Sequence, residues 1–203
     1  SFRRPDVCYP AGGKTGTTRR FKFIERNGDA IEQEVTLPAT PDNQFLAYVG
    51  GDAAPSGNLL RVSPFDDSSE QEPNDDFARA NATGLAAPCA FNGIIEKPGD
   101  ADQFKFKLAK GQKVDFRAYS QALGSPLDTI ISVFDGKGKN VGGNDDGGGY
   151  RRMDSKFSYT APEDGEYAIS VTDHLGRGGP NHPHPLHAVP PPPEATFPTP
   201  IFN

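Results

Sequence analysis

Residues 70–80, Glu-Gln-Glu-Pro-Asn-Asp-Asp-Phe-Ala-Arg-Ala, set four acidic side chains, an asparagine and a proline ahead of a short run with helical character. Hard cations such as calcium take about 6–8 oxygen ligands from carboxylates, amides and backbone carbonyls. Alternation puts Glu70 and Glu72 on one side of an extended segment, and a turn at Pro73 swings Asn74 and Asp75 back towards them. A second acidic pair, Asp100 and Asp102 in Gly-Asp-Ala-Asp-Gln-Phe, can bring in further charge. Gathered in one place without a cation, these carboxylates would repel one another. The competing reading is a solvated acidic linker followed by an ordinary helix cap at Asn74 or Asp75. On composition alone the linker is the plainer of the two.

Other groups carry weaker signals. Asp128, Asn144, Asp145, Asp146, Asp154 and Asp173 stand near predicted strand ends. Loops at one end of a sandwich could collect Asp128, Asp145, Asp146 and Asp154 around a second cation, with turn formation as the plainer role. The four histidines, His174, His182, His184 and His187, fall within 14 residues. His-Pro-His-Pro-Leu-His offers imidazoles to zinc, copper or nickel, but no Cys or acidic ligand lies close in sequence, and a frayed edge strand is the plainer expectation. Cys8 and Cys89 read as two small buried hydrophobes, with a disulfide as the alternative. Ala-Gly-Gly-Lys-Thr-Gly (11–16) fails as a phosphate loop, because Cys8 stands where its first glycine belongs. There is no His-Glu-x-x-His and no Gly-x-Ser-x-Gly, and no two carboxylates single themselves out as a glycosidase pair. The chain is therefore not expected to be an enzyme.

The elements that must position these residues are short. Of 203 residues, 34% are hydrophobic and 24% charged, with 23 Gly and 20 Pro, which suits strands joined by many turns. The net charge of −6 argues against a nucleic-acid surface. No apolar run approaches the roughly 18 residues of a membrane span, and the start at Ser1 reads as part of something larger. Residues 1–63 hold alternating stretches at 18–26, 31–37, 44–49 and 58–63, with Asn27-Gly28-Asp29 as a hairpin signal. They form a small β-rich segment, possibly the end of an upstream domain. Residues 64–83 read as an acidic linker and a helical turn or two over 75–83, stopped by Gly84. Residues 84–189 give strands at 91–96, 102–109, 113–120, 128–135, 156–161 and 166–173, the fourth as a central strand. A last edge strand at 184–189 follows, since Pro185 is tolerated at an edge. Residues 190–203 are a proline-rich tail or linker. The fold class is all-β, an antiparallel jelly-roll-like sandwich.

The order Glu-x-Glu-Pro-Asn-Asp, Asn-Gly-x-Ile, Gly-Asp-x-Asp-x-Phe-x-Phe resembles the bacterial pre-peptidase C-terminal domain. The runs Leu-Gly-Ser-Pro-Leu-Asp-Thr-Ile-Ile-Ser-Val-Phe-Asp and Asp-Ser-Lys-Phe-Ser-Tyr-Thr-Ala-Pro-Glu-Asp-Gly-Glu-Tyr look like its second half, so that the resemblance spans roughly residues 68–189. It implies a non-catalytic module of secreted bacterial proteins, related to the collagen-binding domains of bacterial collagenases, in which calcium orders the N-terminal linker. By position, Glu70, Glu72, Asn74 and Asp75 match the linker ligands, and Asp100 and Asp102 the pair that completes the site, although the spacing of that pair is one residue narrower here. With the resemblance, calcium becomes the favoured reading. The module is then expected to be secreted, periplasmic or on the cell surface. Its partner would be an extracellular protein or polysaccharide polymer met by Tyr119, Tyr150 and Arg151, or an adjacent domain of the parent protein. The alternative is an intramolecular chaperone or processing domain with no external ligand.

Overall fold

In the computed structural model, which describes residues 5–50, 56–147 and 154–193, the alternating sequence becomes sixteen strands in four sheets. The N-terminal unit has two three-stranded sheets. One contains β1 (Val7–Tyr9), β3 (Thr18–Ile24) and β4 (Ala30–Thr36), in the order β1-β3-β4. The other contains β2 (Gly12–Lys14), β5 (Asp42–Ala47) and β6 (Asn58–Ser63), in the order β2-β6-β5. Alternation in β3 buries Phe21 and Phe23 while Arg20 and Lys22 face out. The two phenylalanines meet Cys8, Leu37, Ala47, Leu60 and Val62 in a small core. The turn into β4 is the expected one: Gly28 takes a φ of 89°, and the Asn27 side chain accepts from the Asp29 amide at 3.1 Å.

Ten further strands make the sandwich: β7 (Asp66–Ser69), β8 (Asn81–Ala86), β9 (Cys89–Ile94), β10 (Asp102–Leu108), β11 (Lys113–Ala118), β12 (Thr129–Phe134), β13 (Asn140–Asn144), β14 (Lys156–Thr160), β15 (Gly165–Asp173) and β16 (Pro183–Val189). They pair as β13-β12-β15-β10-β8 and β14-β11-β16-β9-β7. The inward rows of both sheets, including Phe91, Phe104, Phe106, Phe116, Ile131, Ile169 and Leu186, form one core. Phe91 stacks on Phe104 with ring centroids 5.0 Å apart. Each fully buried phenylalanine contributes about 1.5–3 kcal/mol of transfer free energy.

Three expectations change. The acidic linker is part of the sandwich, because β7 pairs in parallel with β9, Asp66 opposite Cys89. The helix expected over 75–83 shrinks to a turn in which the Arg79 amide donates to the Asp76 carbonyl (3.1 Å) and to Asp76 Oδ1 (3.0 Å). The chain then becomes β8 instead, since parallel pairing with β10, Asn81 opposite Phe104, satisfies more backbone than an exposed helical turn. Finally, β16 lies between β11 and β9 and is not an edge strand. Its prolines fit because the overhang is locally an edge. The last rung with β11 is Ala118–Leu186, and the Pro185 carbonyl accepts from Tyr119 N (3.1 Å), so the missing N–H points to where β11 has stopped.

β16 also pairs with β9, Ala188 opposite Cys89, so Asp66 and Ala188 flank the same residue from its two sides. The units touch through Lys14–Asp66 (2.6 Å), an Arg19–Asp67 pair, and the cluster of Val7, Ile24 and Ile94. Cys8 and Cys89 are free and belong to different cores. Among the described residues no helix is long and apolar enough to cross a membrane.

Candidate metal centre

Sheet register builds the site. The Glu70 amide donates to the Asn92 carbonyl (2.9 Å), carrying the β7–β9 ladder one residue further, so Glu70 stands beside Gly93. On the other side of Gly93 the partner is His184. Period-2 alternation points this row between the sheets, as it does Phe91 and Leu186 two residues away. From the opposite sheet Asp102 opens β10, two residues before Phe104. The row after the aromatic core is thus Glu70, Gly93 and His184, faced by Asp102.

Hydrogen bonds fix half of each carboxylate. Glu70 Oε1 accepts from the Ile94 amide at 2.8 Å, and Asp102 Oδ2 lies 2.6 Å from His184 Nε2. Glu70 Oε2 and Asp102 Oδ1 are buried with no partner. Just outside, Glu72 Oε2 accepts from the Asn74 amide (3.2 Å), and Asp100 Oδ2 from the Glu96 amide (2.7 Å). Carboxylate oxygens of Glu70, Glu72 and Asp102 lie within 4.8 Å of one another, as do those of Glu72, Asp75 and Asp100. All six residues singled out in the sequence therefore converge, and Glu72 joins the inner and outer groups.

Asn74, fully buried, reveals what the cluster lacks. Its Nδ2 donates to Asn81 Oδ1 at 3.1 Å, which leaves its Oδ1 facing Glu72 Oε1 (2.9 Å) and the Ala101 carbonyl (3.2 Å). Turning the amide would relieve those oxygens but set Asn74 Oδ1 against Asn81 Oδ1. The Asn81 amide is itself fixed, accepting from Gln71 N (2.9 Å) and donating to the Gln71 carbonyl (2.6 Å). The Asn74 amide thus meets an oxygen in either orientation, Asn81 Oδ1 on one side or Glu72 and Ala101 on the other. The electrostatics agree. Burial, reinforced by Asp102, pushes the Glu70 carboxyl up to about 10, and burial raises Asp102 well above the carboxylate range. Glu72 is raised by desolvation and by Asp100. Among the described residues, cationic side chains reach only the outer group: Lys97 at Asp100 (3.3 Å) and Asp75 (3.9 Å), and Arg79 at Asp75 (3.2 Å).

Sequence reasoning did not find the Ala101 carbonyl, Gly93 or His184 here. A backbone carbonyl has no residue signature, and His184 lies 82 positions from Asp102. Among the described residues the candidate second cluster does not converge in the same way. Asp154 accepts from the amides of Gln121 (2.9 Å) and Ala122 (3.0 Å), at a single 3₁₀ turn over Gln121–Leu123. Asp173 accepts from the Asp128 amide (3.0 Å) and the Arg177 guanidinium (2.9 Å), and Asp145 lies 3.8 Å from His174. Asp128 and exposed Asp146 flank this network. Tyr119 lies beneath the Arg61 guanidinium, 3.6 Å from its ring centroid, and beside buried His187. Tyr150 and Arg151 lie outside the described residues.

The model of the bacterial pre-peptidase C-terminal domain family matches residues 100–173. A probable subtilase-type serine protease of Deinococcus radiodurans is 28% identical over 152 residues, 68% of this chain and 20% of the relative. The chain thus spans about a fifth of that protein's length. Among solved structures, the pre-peptidase C-terminal domain of a collagenase from Bacillus anthracis is similar at 14% identity and a TM-score of 0.41, over 59% of this chain and 99% of its own. The Aeromonas hydrophila PliG, a periplasmic inhibitor of g-type lysozyme, is similar at 17% identity and a TM-score of 0.39, over 54% of this chain and 97% of its own.

Proposed function

We propose that the pre-peptidase C-terminal domain carried by this chain is a non-catalytic accessory module of a secreted bacterial protease-type protein, fixed to its neighbour by a calcium-ordered joint. The reading is carried by two carboxylate groups that share Glu72, one with Glu70 and Asp102 and one with Asp75 and Asp100, each with its oxygens within 4.8 Å of one another, and by buried oxygens of Glu70 and Asp102 that have no partner. Glu70, Glu72, Asn74, Asp75, Asp100, Asp102 and the Ala101 carbonyl are the residues that would hold the ion. They supply hard oxygens of the kind calcium takes. Bound there, calcium supplies the positive charge that the inner carboxylates lack and ties the segment between β7 and β8 to the start of β10. The chain's own residues do the rest: Asn81 orients Asn74, and the amides of Ile94 and Glu96 orient Glu70 and Asp100.

A positioning role is favoured over polymer binding by Arg61, which covers Tyr119 at the junction of the two units. An intramolecular processing role uses the same joint and differs only in what the neighbour is. Thermal unfolding in millimolar calcium against excess chelator tests the ion: a clear rise in Tm is expected, and its absence would return residues 70–76 to a solvated segment. Pull-down on insoluble collagen, chitin and cellulose tests the polymer. Calcium-dependent retention by the whole chain would overturn the positioning role in favour of a binding module.

A further inference from the structure

We propose that the inner half of this cluster is a mixed nitrogen–oxygen site for a borderline divalent transition metal, zinc foremost, with His184 as its imidazole ligand beside Glu70 and Asp102. The inference rests on the cluster being a divalent-cation site and goes beyond it by separating two positions of different chemistry.

Three donor atoms converge on the space that glycine leaves open. A Cβ on Gly93 would lie 2.2 Å from Asp102 Oδ2, 2.6 Å from His184 Nε2 and 2.7 Å from Glu70 Oε2. Any side chain at 93 would fill the pocket these atoms share. His184 is wholly buried, and so is Asp102, whose second oxygen has no partner. Lys97 and Arg79 reach Asp75 and Asp100 in the outer group. The inner pair of carboxylates is faced instead by the His184 imidazole, whose Nε2 lies 2.6 Å from Asp102 Oδ2. An imidazole ligand donates a ring-nitrogen lone pair to a metal.

Donor type decides the metal. Calcium and magnesium take oxygen, whereas imidazole suits zinc and its neighbours in the first transition row. Two carboxylates and one histidine leave a fourth position for water or for Glu72, the residue shared with the outer group. The outer group, with an amide, a backbone carbonyl and carboxylates, keeps the hard-cation character.

The test uses the whole chain, stripped with chelator and returned to millimolar calcium. Micromolar zinc should raise Tm further, and zinc-edge X-ray absorption should show scattering from one imidazole ring. His184→Gln should weaken zinc binding at least tenfold while keeping the calcium-induced rise in Tm, and Gly93→Ala should abolish the zinc response. A calcium response with no zinc response, or zinc binding unchanged in His184→Gln, would overturn the mixed site and leave the calcium reading standing. Loss of response to both ions in the wild-type chain would remove both. Should neither variant fold, an all-oxygen shell in the wild-type absorption spectrum would be enough to reject the imidazole.

Discussion

Two acid-rich regions of this molecule look alike in sequence and differ in what surrounds their oxygens. In the loops around Asp154 and Asp173, those two carboxylates are occupied by donors from the chain. Asp173 alone takes the Arg177 guanidinium and the amides of Asp128, Leu175 and Arg177. Between β7 and β10, buried oxygens of Glu70 and Asp102 have no donor, and the Asn74 oxygen faces other oxygens. The number of acids therefore does not separate the two regions; the shortage of donors does.

The contrast is sharpest in a substitution that should change sign. Glu72→Gln removes a charge from the residue shared by both carboxylate groups, so in chelator it should be at least as stable as the wild type. In calcium at a hundredfold excess over its dissociation constant, the wild type should gain about 2.7 kcal/mol that the variant does not. Melting curves in the two buffers check this, and equal calcium responses would break the comparison. Asp173→Ala should cost about 1.5–3 kcal/mol, the range for hydrogen bonds to a charged group, with no difference between calcium and chelator. Its pH dependence has a definite sign. Burial alone would raise the Asp173 carboxyl, but the hydrogen bonds from Arg177 and the Asp128 amide together hold its folded-state pKa below the usual carboxylate range. The stability it contributes is thus present above about pH 4 and lost as pH falls further, so the wild-type advantage should shrink in acid. The smallest effect is expected for Asp154→Ala, which removes the acceptor for the amides of Gln121 and Ala122. It should cost about 1 kcal/mol by denaturant titration, again indifferent to calcium.

Much of this was legible from residue order, and the failures have physical causes. Strong alternation in Thr18–Ile24, Asp102–Leu108 and Gly165–Asp173 placed those strands within a residue or two, because one face of each is buried and the other is not. β1, β2, β7, β8 and β13 were missed, being short, glycine-bearing or polar. Their stability comes from the pairing partner, which no local pattern records. β7 is the clearest case: Asp-Asp-Ser-Ser reads as linker and becomes a strand because the edge of β9 is free to receive it. The six oxygen-bearing side chains that converge were singled out because their types and order are a local signal. His184 was set aside because its acidic neighbours come from 82 and 114 positions away, and only the closing of two sheets brings them together. Pro185 misled for the opposite reason, since its rule concerns a missing partner, and the overhang of β16 past β11 supplies that absence inside the sheet.

The pairing of Asp66 and Ala188 with the same Cys89 has a consequence for how the sandwich is carried. The chain comes into the sheet and goes out of it two strand spacings apart, about 10 Å, at one end of the sheet. A module attached in this way hangs to one side like a pendant on a short loop and adds almost no length to the path of the chain. The points at which the chain enters and leaves it are therefore near neighbours.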